Sequence, residues 1–404
     1  MAEIYDILVV GGGPGGLAAG IYGSRARLKT LIIEKGRVGG QAATTNEMEN
    51  YPGSFEGSTG PGLMERFADH AKAFGTGIVR GDIVDMELEG NVKKVITKDG
   101  EEYFGQTVIF APGAEPRSLN VKGEGKLRGK GVSYCATCDA DFFEDLDVVV
   151  VGNGDAAIEE AMYLTKFANE VTVIVIHDEG TLDCNKASAE KAFKNPKLKW
   201  VWNSVLEEIV GDELVEKVVI KNIKTGELSE KEVNGVFFFV GTVPKTKFLE
   251  GKIELDERGY IPTTELMETN VPGVYAVGDA RVKYLRQVIT AAADGAVAAV
   301  AAEKYLAEME SFREQVLESE LPVLLCFWAP QVEESLTALG ELEKVIEENQ
   351  GKVALAKLDT YRNKKTAATY KVTACPTVIL FDKGEVKGRI DGMFTADDVR
   401  ALLK

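Results

Sequence analysis

One local pattern occurs twice in this chain of 404 residues and limits its fold more than any other feature. A buried apolar run leads into a glycine turn, a helical stretch and a second apolar run, first over residues 4–34 and again over 145–176. This order is typical of a βαβ unit with parallel strands. The repetition predicts two α/β domains of the nucleotide-binding type.

A third unit follows a charged helical stretch at 303–320. From about residue 312 to residue 404, helical and strand patterns alternate, and the unit ends in the helical segment TADDVRALL. A length of about 90 residues suits one small domain. The sequence therefore predicts an all-α/β chain in which a small third domain follows two nucleotide-binding-type domains.

Composition excludes several function classes. The chain has 47 basic and 64 acidic residues, and its net charge of −17 makes nucleic acid a poor partner. No apolar stretch reaches the roughly 18 residues of a membrane helix, and the N-terminus has the pattern of a strand rather than a signal peptide. Five cysteines form no disulfide framework, which favours a cytoplasmic compartment. The two histidines nearly exclude histidine-rich metal sites and Ser-His-Asp catalysis, so we expect no metal.

The first glycine turn satisfies G-x-G-x-x-G between a strand and a helix. Gly11 makes the turn, Gly13 lets the backbone approach a pyrophosphate, and Gly16 lets helix and strand pack closely. Glu34 ends the next strand, 23 residues after Gly11, where it can accept hydrogen bonds from ribose hydroxyls. Together these residues predict dinucleotide binding.

A second acidic position follows a later strand, VYAVG. Gly278 and Asp279 end that strand, where the carboxylate could bind another part of a long dinucleotide. Gly-Asp is also common in turns, so the pair alone indicates little.

The sharpest chemical feature is the sequence Cys135-Ala-Thr-Cys138. Two thiols at this spacing can form a small, reducible disulfide, whereas a zinc site would need a second CxxC or paired histidines. The motif therefore predicts a redox dithiol. Asp139 follows at once and could donate a proton to a departing thiolate, or it could be a helix N-cap.

Residues 1–310 resemble the low-molecular-weight thioredoxin reductases. The matching stretches are GGGPGG (11–16), GGQAATTNEMENYPG (39–53), GVSYCATCD (131–139), GNGDAAIEEAMYL (152–164) and TNVPGVYAVGDARVKYLRQVITAAADG (269–295). The resemblance implies two Rossmann-like domains: an FAD-binding domain in two parts, and an inserted NAD(P)-type domain that carries the CxxC. The implied ranges are 1–115 and 246–308 for the FAD domain and 116–245 for the insert.

The resemblance also implies residue roles. Cys138, the cysteine nearer the flavin, would receive its electrons, Cys135 would attack the disulfide substrate, and Asp139 would be the acid. The residues implied in FAD binding are Gly11, Gly13, Gly16, Glu34, Gly40, Gln41, Asn50, Gly278, Asp279, Arg286, Gln287 and Val288. The family is usually a homodimer, and its inserted domain rotates to present the dithiol to the substrate. We expect the hinges near 113–117 and 244–248.

The second βαβ unit departs from the family. Its glycine pattern is Gly152-x-Gly154-x-x-Ala157, with Asn153 in place of the central glycine. The family's His-Arg-Arg run, which binds the 2′-phosphate of NADPH, falls on residues 175–177, Val-Ile-His. No arginine occurs from 129 to 257, and a phosphate dianion needs guanidinium groups or an equivalent. NADPH is therefore disfavoured.

Two other donors stay open. NADH would need an acid at the strand end, and Asp178 and Glu179 come about three residues late unless the loop shifts. Otherwise the domain has lost nicotinamide binding and the electrons come from ferredoxin or another carrier, as in some anaerobes. The basic stretch 117–130 could bind an acidic carrier, although a solvated loop explains it as well.

The third unit, 309–404, resembles thioredoxin over its whole length. The family's Trp-Cys-Gly-Pro-Cys falls on residues 331–335, Gln-Val-Glu-Glu-Ser, so both redox cysteines are missing. The buried acid of the family falls on Cys326, and Pro376 matches its cis-proline, preceded by Cys375. We expect a docking, dimerising or regulatory module. Cys375 and Cys184 could be reactive thiols, but small buried residues are the better interpretation.

The predicted function is a flavin-dependent thioredoxin-disulfide reductase with FAD as its cofactor. Its expected partners are a thioredoxin-like protein as the disulfide substrate and ferredoxin as one candidate donor. One alternative is an NADH-dependent enzyme of the same kind. An alternative of another class is a redox-sensing or scaffold flavoprotein whose thioredoxin-like domain only binds.

Overall fold

The chain folds into two compact units, Met1–Val300 and Ala301–Lys404. The structure is a computed structural model, and it describes residues 3–44, 48, 50–55, 58–361 and 363–404. Within those ranges, no helix is long and apolar enough to cross a membrane.

A sheet with parallel strands at its centre forms the start of the first unit. Its first elements are β1 (Ile4–Val10), α1 (Pro14–Arg25), β2 (Thr30–Glu34), α2 (Gly60–Ala73), β3 (Gly77–Arg80), β4 (Ile83–Glu87), β5 (Lys93–Thr97) and β6 (Glu102–Phe110). The strands lie in the order β3-β2-β1-β6-β5-β4, and β1 runs parallel to both of its neighbours. Ile7, Leu8 and Val9 are fully buried, because helices and sheet cover β1 on both faces.

The second glycine turn lies in a separate parallel sheet. The next elements are β7 (Ala114–Pro116), β8 (Val132–Ser133), α3 (Ala136–Asp139), β9 (Asp147–Val151), α4 (Asp155–Leu164), β10 (Glu170–Ile174), α5 (Lys186–Phe193), β11 (Leu198–Val201), β12 (Ser204–Val210), β13 (Lys217–Asn222), β14 (Leu228–Glu232), β15 (Gly235–Phe238) and β16 (Thr242–Pro244). The parallel sheet has the order β11-β10-β9-β15-β8, and β12, β13 and β14 form an antiparallel sheet.

The chain returns to the first sheet after this insertion. β17 (Val274–Ala276) runs parallel to β6, with Val274 opposite Val108, and α6 (Val288–Phe312) follows. The two connections to the insertion, β7 and β16, pair with each other as antiparallel strands. The predicted hinge segments, 113–117 and 244–248, overlap this strand pair: the first contains β7, and the second starts at Pro244, the last residue of β16.

The second unit has its own sheet of four strands. Its elements are β18 (Val323–Trp328), α7 (Glu333–Glu348), β19 (Ala354–Asp359), α8 (Lys364–Thr369), β20 (Thr377–Asp382), β21 (Glu385–Asp391) and α9 (Ala396–Leu402). The strands lie in the order β19-β18-β20-β21, and the Cys375–Pro376 peptide bond before β20 is cis. The predicted fold class, two Rossmann-like domains and a thioredoxin fold, is confirmed.

Candidate active site

The first glycine turn has no room for side chains at two of its positions. Gly11 has a φ of +108°, and a Cβ there would lie 2.2 Å from Ala111 O. A Cβ on Gly16 would lie 1.9 Å from Gly11 O, so helix α1 could not pack as closely on β1. Gly13, in contrast, has nothing within 4 Å of its Cβ position. The turn therefore leaves open space where the N-terminus of α1 begins, which suits an anionic phosphate group.

Glu34 lies at the end of β2, as the sequence predicts, and backbone groups fix its carboxylate. Gly12 N donates to Glu34 Oε2 over 2.5 Å, and Gly36 N donates to Glu34 Oε1 over 2.7 Å. Each carboxylate oxygen keeps a further lone pair. The hydrogen bonds from the backbone therefore orient the Glu34 carboxylate and still allow it to accept a hydrogen bond from a hydroxyl group.

A single cavity of about 1830 Å³ brings together most of the predicted site residues. Those that line it are Gly11, Gly13, Glu34, Gly40, Gln41, Cys135, Cys138, Asp139, Gly278, Asp279, Arg286, Gln287 and Val288. Gly16 and Asn50 do not line it: Gly16 lies behind the turn, and Asn50 contacts the residues described below. Part of the predicted stretch 39–53, residues 45–47 and 49, lies outside the described residues.

Asp279 is a half-buried acid that lines this cavity. Its Oδ1 atom is buried and has no hydrogen-bond partner among the described residues. Burial raises the pKa of Asp279 against the opposing attraction of Lys283 and Arg286. Arg286 is oriented by Tyr260, whose ring centroid lies 4.4 Å from the guanidinium carbon. A buried acceptor without a partner is costly, so this atom fits a ligand hydroxyl in the cavity.

A buried acid lies next to Asp279 and is fully paired. Asp294 Oδ1 accepts from Arg281 Nη1 over 2.9 Å, and Oδ2 accepts from Lys283 Nζ over 2.7 Å. Oδ2 also accepts from the backbone N–H of Gly278 over 3.0 Å. All three side chains are at most 14 % exposed, so the cluster fixes the backbone that carries Asp279.

Cys135 and Cys138 form a disulfide across α3, with their Cα atoms 5.3 Å apart. Asp139 ends this helix and occupies the N-cap position of the next short helix, Ala140–Phe143, but its side chain makes no cap hydrogen bond. Instead, Ser133 Oγ donates to Asp139 Oδ2 over 2.5 Å and accepts from Cys135 N over 3.1 Å. Asp139 thus occupies an N-cap position without a side-chain cap bond, and one hydroxyl links the acid to the first cysteine.

Residues of the FAD-type part contact Thr137, one of the two residues between the cysteines. Gln287 Nε2 donates to Thr137 Oγ1 over 3.1 Å, and Asn50 Nδ2 lies 3.4 Å from Thr137 O. Asn50 also donates to Gln287 Oε1 over 3.2 Å. Cys135 Sγ lies 3.4 Å from Thr137 Oγ1 and 3.9 Å from Gln287 Nε2. These contacts place the disulfide against the same cavity as the first glycine turn.

Ser133 and the contacts of Thr137 were not predicted from the sequence. Ser133 stands two residues before Cys135 in a short strand, which gave no signal of a contact with Asp139. A serine that precedes a CxxC and an acid by a few residues is a usable signal, because its hydroxyl can reach either backbone or carboxylate.

At the second glycine turn, a loop residue contacts the position of the substituted glycine. Asn153 Nδ2 donates to Asp183 Oδ2 over 3.2 Å, and Asp183 N donates to Asn153 O over 3.1 Å. Asp183 Oδ2 also lies 3.0 Å from His177 Nε2. At the start of α4, Asn185 N donates to Asp155 Oδ1 over 2.7 Å. The loop 177–185 thus lies across the turn at which a pyrophosphate would bind.

Asp178 and Glu179 are the two acids considered for NADH binding, and they differ in their surroundings. Asp178 forms an ion pair with Lys224, and this hydrogen bond holds the pKa of Asp178 below its usual value. Val175 is fully buried, and Glu179 is exposed. The pairing of Asp178 with Lys224 directs that carboxylate toward β13 and β14 rather than toward the turn.

Two of the five basic side chains in the stretch 117–130 form ion pairs with acids. Lys122 lies 2.7 Å from Glu208, and Lys126 lies 3.0 Å from Asp212. The guanidinium carbon of Arg128 lies 4.9 Å from the centre of the Tyr134 ring. These contacts reduce the positive charge that an acidic carrier would meet there.

In the second unit, Val332 is the N-cap of α7 and Ser335 is fully buried in its first turn. Ser335 Oγ accepts from Ala329 N over 3.3 Å. Cys326 is buried, and burial raises the pKa of its thiol to about 12. Cys375 Sγ lies 3.2 Å from Thr360 Oγ1. No cluster of metal-ligating side chains occurs in the part of the chain that the structure describes.

Comparisons with known proteins agree for both units. The pyridine nucleotide-disulphide oxidoreductase profile matches residues 5–295, and the thioredoxin profile matches residues 304–404. A thioredoxin reductase of Peptoclostridium acidaminophilum is 54% identical over 312 residues, 76% of this chain and 98% of that protein. A bifunctional thioredoxin reductase/thioredoxin of Mycobacterium leprae is 34% identical over 431 residues, 96% of this chain and 94% of that protein. This chain is 41% identical in sequence to thioredoxin reductase from Streptococcus pyogenes, whose crystal structure it matches with a TM-score of 0.71. The match covers 76% of this chain and 100% of that chain.

Proposed function

Because the chain belongs to the thioredoxin reductase family and carries a C-terminal thioredoxin domain, we propose that it reduces the disulfide of a thioredoxin-like protein with electrons from a carrier other than NADPH. It is an FAD flavoprotein disulfide oxidoreductase. The proposal concerns its electron donor, its partner and the roles of individual residues. Ferredoxin is the first candidate donor.

The cavity fits FAD. The open space at Gly13 and the N-terminus of α1 suit the pyrophosphate, and Glu34 is oriented to accept from ribose. Asp279 has a buried oxygen without a partner among the described residues, which suits a hydroxyl of the chain between ring and phosphate. Gly40, Gln41, Arg286 and Val288 complete the lining. Bound FAD supplies the two electrons that reduce the disulfide.

The cysteine pair transfers those electrons to the substrate. Cys138 receives them, the disulfide opens, and Cys135 attacks the sulfur of the substrate disulfide to form a mixed disulfide. Attack by Cys138 on Cys135 then releases the reduced substrate. Asp139, oriented by Ser133, donates the proton that the leaving thiolate needs. The contacts of Thr137 with Asn50 and Gln287 must break before the pair can reach a protein substrate.

One observation carries the proposal on the donor: Asp183 binds Asn153 through both backbone and side chain, at the turn that would bind the pyrophosphate of a nicotinamide cofactor. A carboxylate at this point repels phosphate, and no arginine from 129 to 257 could offset it. Asp178, the nearest acid for NADH, is paired with Lys224. A low-potential one-electron carrier needs none of these contacts, since two carrier molecules can deliver the electrons directly to the flavin.

The thioredoxin domain takes a binding role in this proposal. Residues 331–335 contain no cysteine, and Ser335 is buried in hydrogen-bond contact with Ala329. Dithiol exchange therefore cannot run at the usual position. The external substrate would be a thioredoxin-like protein that has its own CxxC.

The experiment is anaerobic mixing of the oxidised holoprotein with NADPH, NADH or reduced ferredoxin, each alone, while the flavin absorbance is followed. We expect reduced ferredoxin to bleach the flavin rapidly and both pyridine nucleotides to react at least about 100-fold more slowly, since phosphate binding is missing. Rapid bleaching by NADPH would contradict the proposed donor. Bleaching by NADH alone would assign Asp178 or Glu179 to the cofactor site.

A matched variant separates turnover from a scaffold role. Cys135→Ser should keep flavin reduction by the donor and lose reduction of a thioredoxin disulfide. Disulfide reduction that persists in Cys135→Ser would contradict the role given to the pair. A wild-type protein that binds thioredoxin but never reduces it would instead be a scaffold.

A further inference from the structure

A tyrosine of the flavin domain, Tyr260, is hydrogen-bonded across the predicted hinge to the inserted domain. Its hydroxyl donates to Thr242 O over 3.1 Å and also forms a hydrogen bond with Thr242 Oγ1. Thr242 begins β16 and precedes the predicted hinge 244–248, whereas Tyr260 follows that hinge along the chain. The two hydrogen bonds therefore join parts of the chain that a rotation about the hinge would move apart.

The ring of the same tyrosine supports a residue that lines the cavity. The guanidinium carbon of Arg286 lies 4.4 Å from the centre of the Tyr260 ring, and Arg286 Nε donates to Asp279 O over 3.3 Å. Arg286 and Asp279 both line the cavity that fits FAD. A guanidinium over the face of an aromatic ring is attracted by the electrons of that ring. The orientation of the Tyr260 ring thus helps to fix the position of this positive charge.

The backbone of Tyr260 is tied to the flavin domain on both sides. Tyr260 N donates to Asp256 Oδ1 over 2.8 Å, and Asp256 N donates to Tyr260 O over 2.8 Å. The next residue, Ile261, donates from its backbone N–H to Ala280 O over 2.9 Å. The side chain of Tyr260 is also buried. A change in the hydrogen bonds of its hydroxyl therefore acts on the orientation of the ring, because the backbone cannot easily move.

The hinge segment itself contacts the turn that carries Tyr260. Thr246 is buried, and its Oγ1 donates to the carbonyl oxygen of Gly259 over 2.5 Å. A Cβ on Gly259 would lie 3.4 Å from Pro244 Cγ, so hinge and turn are in close contact. A rotation that starts in this segment therefore begins next to Tyr260.

We propose that Tyr260 is a positioning residue that couples the hinge of the inserted domain to Arg286, holding the guanidinium in place while the dithiol lies against the cavity and releasing it when the domain rotates. This rests on the proposed rotation that presents the cysteine pair to its substrate. While Thr242 holds the hydroxyl, the ring keeps Arg286 preorganised for the flavin nucleotide. Rotation breaks these hydrogen bonds, so FAD is bound most tightly in the arrangement that the structure shows.

The test measures the affinity of the full-length, flavin-free protein for FAD by titration. Thr242→Val removes one of the two hydrogen bonds to Tyr260 and should weaken FAD binding about fivefold, the effect of about one hydrogen bond. Thr242→Ser keeps the hydroxyl and should bind FAD as the wild type does. Tyr260→Phe should weaken binding at least as much as Thr242→Val. The double variant should be no weaker than Tyr260→Phe alone, since both changes remove the same contact.

A second background shows whether the effect passes through the guanidinium. Arg286→Met should weaken FAD binding by itself, and Thr242→Val should then have no further effect. A merely structural role of Thr242 would weaken FAD binding equally in both backgrounds. The matched control is Tyr103→Phe, which removes a hydroxyl that donates to the exposed carboxylate of Glu101. It should leave the affinity for FAD unchanged.

The same coupling should appear at the cysteine pair, because coupling between two sites is reciprocal. In the reduced holoprotein, Tyr260→Phe should speed alkylation of Cys135 about fivefold, whereas Tyr103→Phe should not change it. Unchanged alkylation in Tyr260→Phe would overturn the inference.

Two results of the titrations would also overturn the inference: wild-type affinity for FAD in Thr242→Val, or equal weakening by Thr242→Val in the Arg286→Met background. Both would leave the proposed function intact, because the titrations involve neither the electron donor nor thioredoxin. If Tyr260→Phe does not fold, the comparison of Thr242→Val with Thr242→Ser decides. A wild type that never reduces thioredoxin would contradict the proposed function alone.

Discussion

The side-chain amide of Gln287 donates a hydrogen bond over 3.1 Å to the hydroxyl of Thr137, which directly precedes Cys138 in the cysteine pair. Gln287 directly precedes α6, and Thr137 lies on the inserted domain. The amide therefore joins the two parts of the first unit at the redox motif. Any rotation that presents Cys135 to a protein must first break this contact.

Removal of the contact should ease that rotation. A hydrogen bond of this kind contributes about 1 kcal/mol, so Gln287→Ala and Thr137→Ala should each speed alkylation of reduced Cys135 by roughly fivefold. The double variant should gain little more than either single one, since both remove the same contact. The measurement is the alkylation rate in a double-mutant cycle. Independent, additive effects would show that the two side chains do not act together.

Replacement of Asp279 should separate flavin binding from protein stability. Asp279→Leu removes a buried, unpartnered carboxyl oxygen, so the flavin-free protein should be as stable as the wild type or more stable. Its affinity for FAD should fall at least about tenfold, because the ligand loses a charged acceptor. The ratio of flavin to protein absorbance and the unfolding of both forms are the measurements. Full flavin retention by Asp279→Leu would argue against this role.

The raised pKa of Asp279 gives a pH dependence of known sign. The folded flavin-free protein binds this proton more tightly than the unfolded chain does. The resulting stabilisation is fully present below the unfolded pKa and is lost as the pH rises through the folded pKa. Acidification from about pH 8 to about pH 5 should therefore favour the folded wild type relative to Asp279→Asn. Equal pH profiles of denaturant unfolding for the two proteins would contradict this sign.

Loss of Asp294 should destabilise the first unit far more than loss of an exposed acid. Asp294→Ala leaves Arg281 and Lys283 buried without their partner, at a cost of about 3–5 kcal/mol. Glu230→Ala, which removes the exposed partner of Lys217, should cost less than about 1 kcal/mol. Denaturant unfolding of the two variants provides the comparison. Similar losses would mean that the buried cluster contributes little.

Restoration of a phosphate site should change the donor preference. Asn153→Gly removes the side-chain bond to the Asp183 carboxylate, and Ile176→Arg with His177→Arg supplies guanidinium groups for a 2′-phosphate. The triple variant should be bleached by NADPH at least about tenfold faster than the wild type. Asn153→Gly alone is the control and should gain little. If the wild type already reacts with NADPH as fast as the triple variant does, the loop 177–185 does not hinder binding of the cofactor.

The glycine turns, the cysteine pair and the fold class could be predicted because each depends on a short stretch of sequence. The spacing of Gly11 and Gly16 lies within one βαβ unit and was visible in the sequence, although the atom closest to a Cβ on Gly11 is Ala111 O, just after β6. The contact of Asp183 with Asn153 could not be predicted, because it depends on the path of a loop that begins many residues later. The sequence had indicated only that residues 129–257 contain no arginine.

Contacts between distant segments were likewise invisible in the sequence. Gln287 was expected among the residues that line the FAD site, and it does line the cavity, but its amide also binds Thr137. Asp139 was open to two interpretations, and its hydrogen bond with Ser133 could not be predicted from either of them.

The pairing of β7 with β16 has a consequence for how such enzymes diversify. The inserted domain leaves the flavin domain at Pro116 and returns opposite it at Thr242, so both crossings occupy one place on the flavin domain. An inserted domain attached in this way can accumulate substitutions, or be replaced as a unit, without altering the register of the strands that surround the cavity. A change of electron donor would then require substitutions in the insertion alone, because the strands around the cavity keep their register.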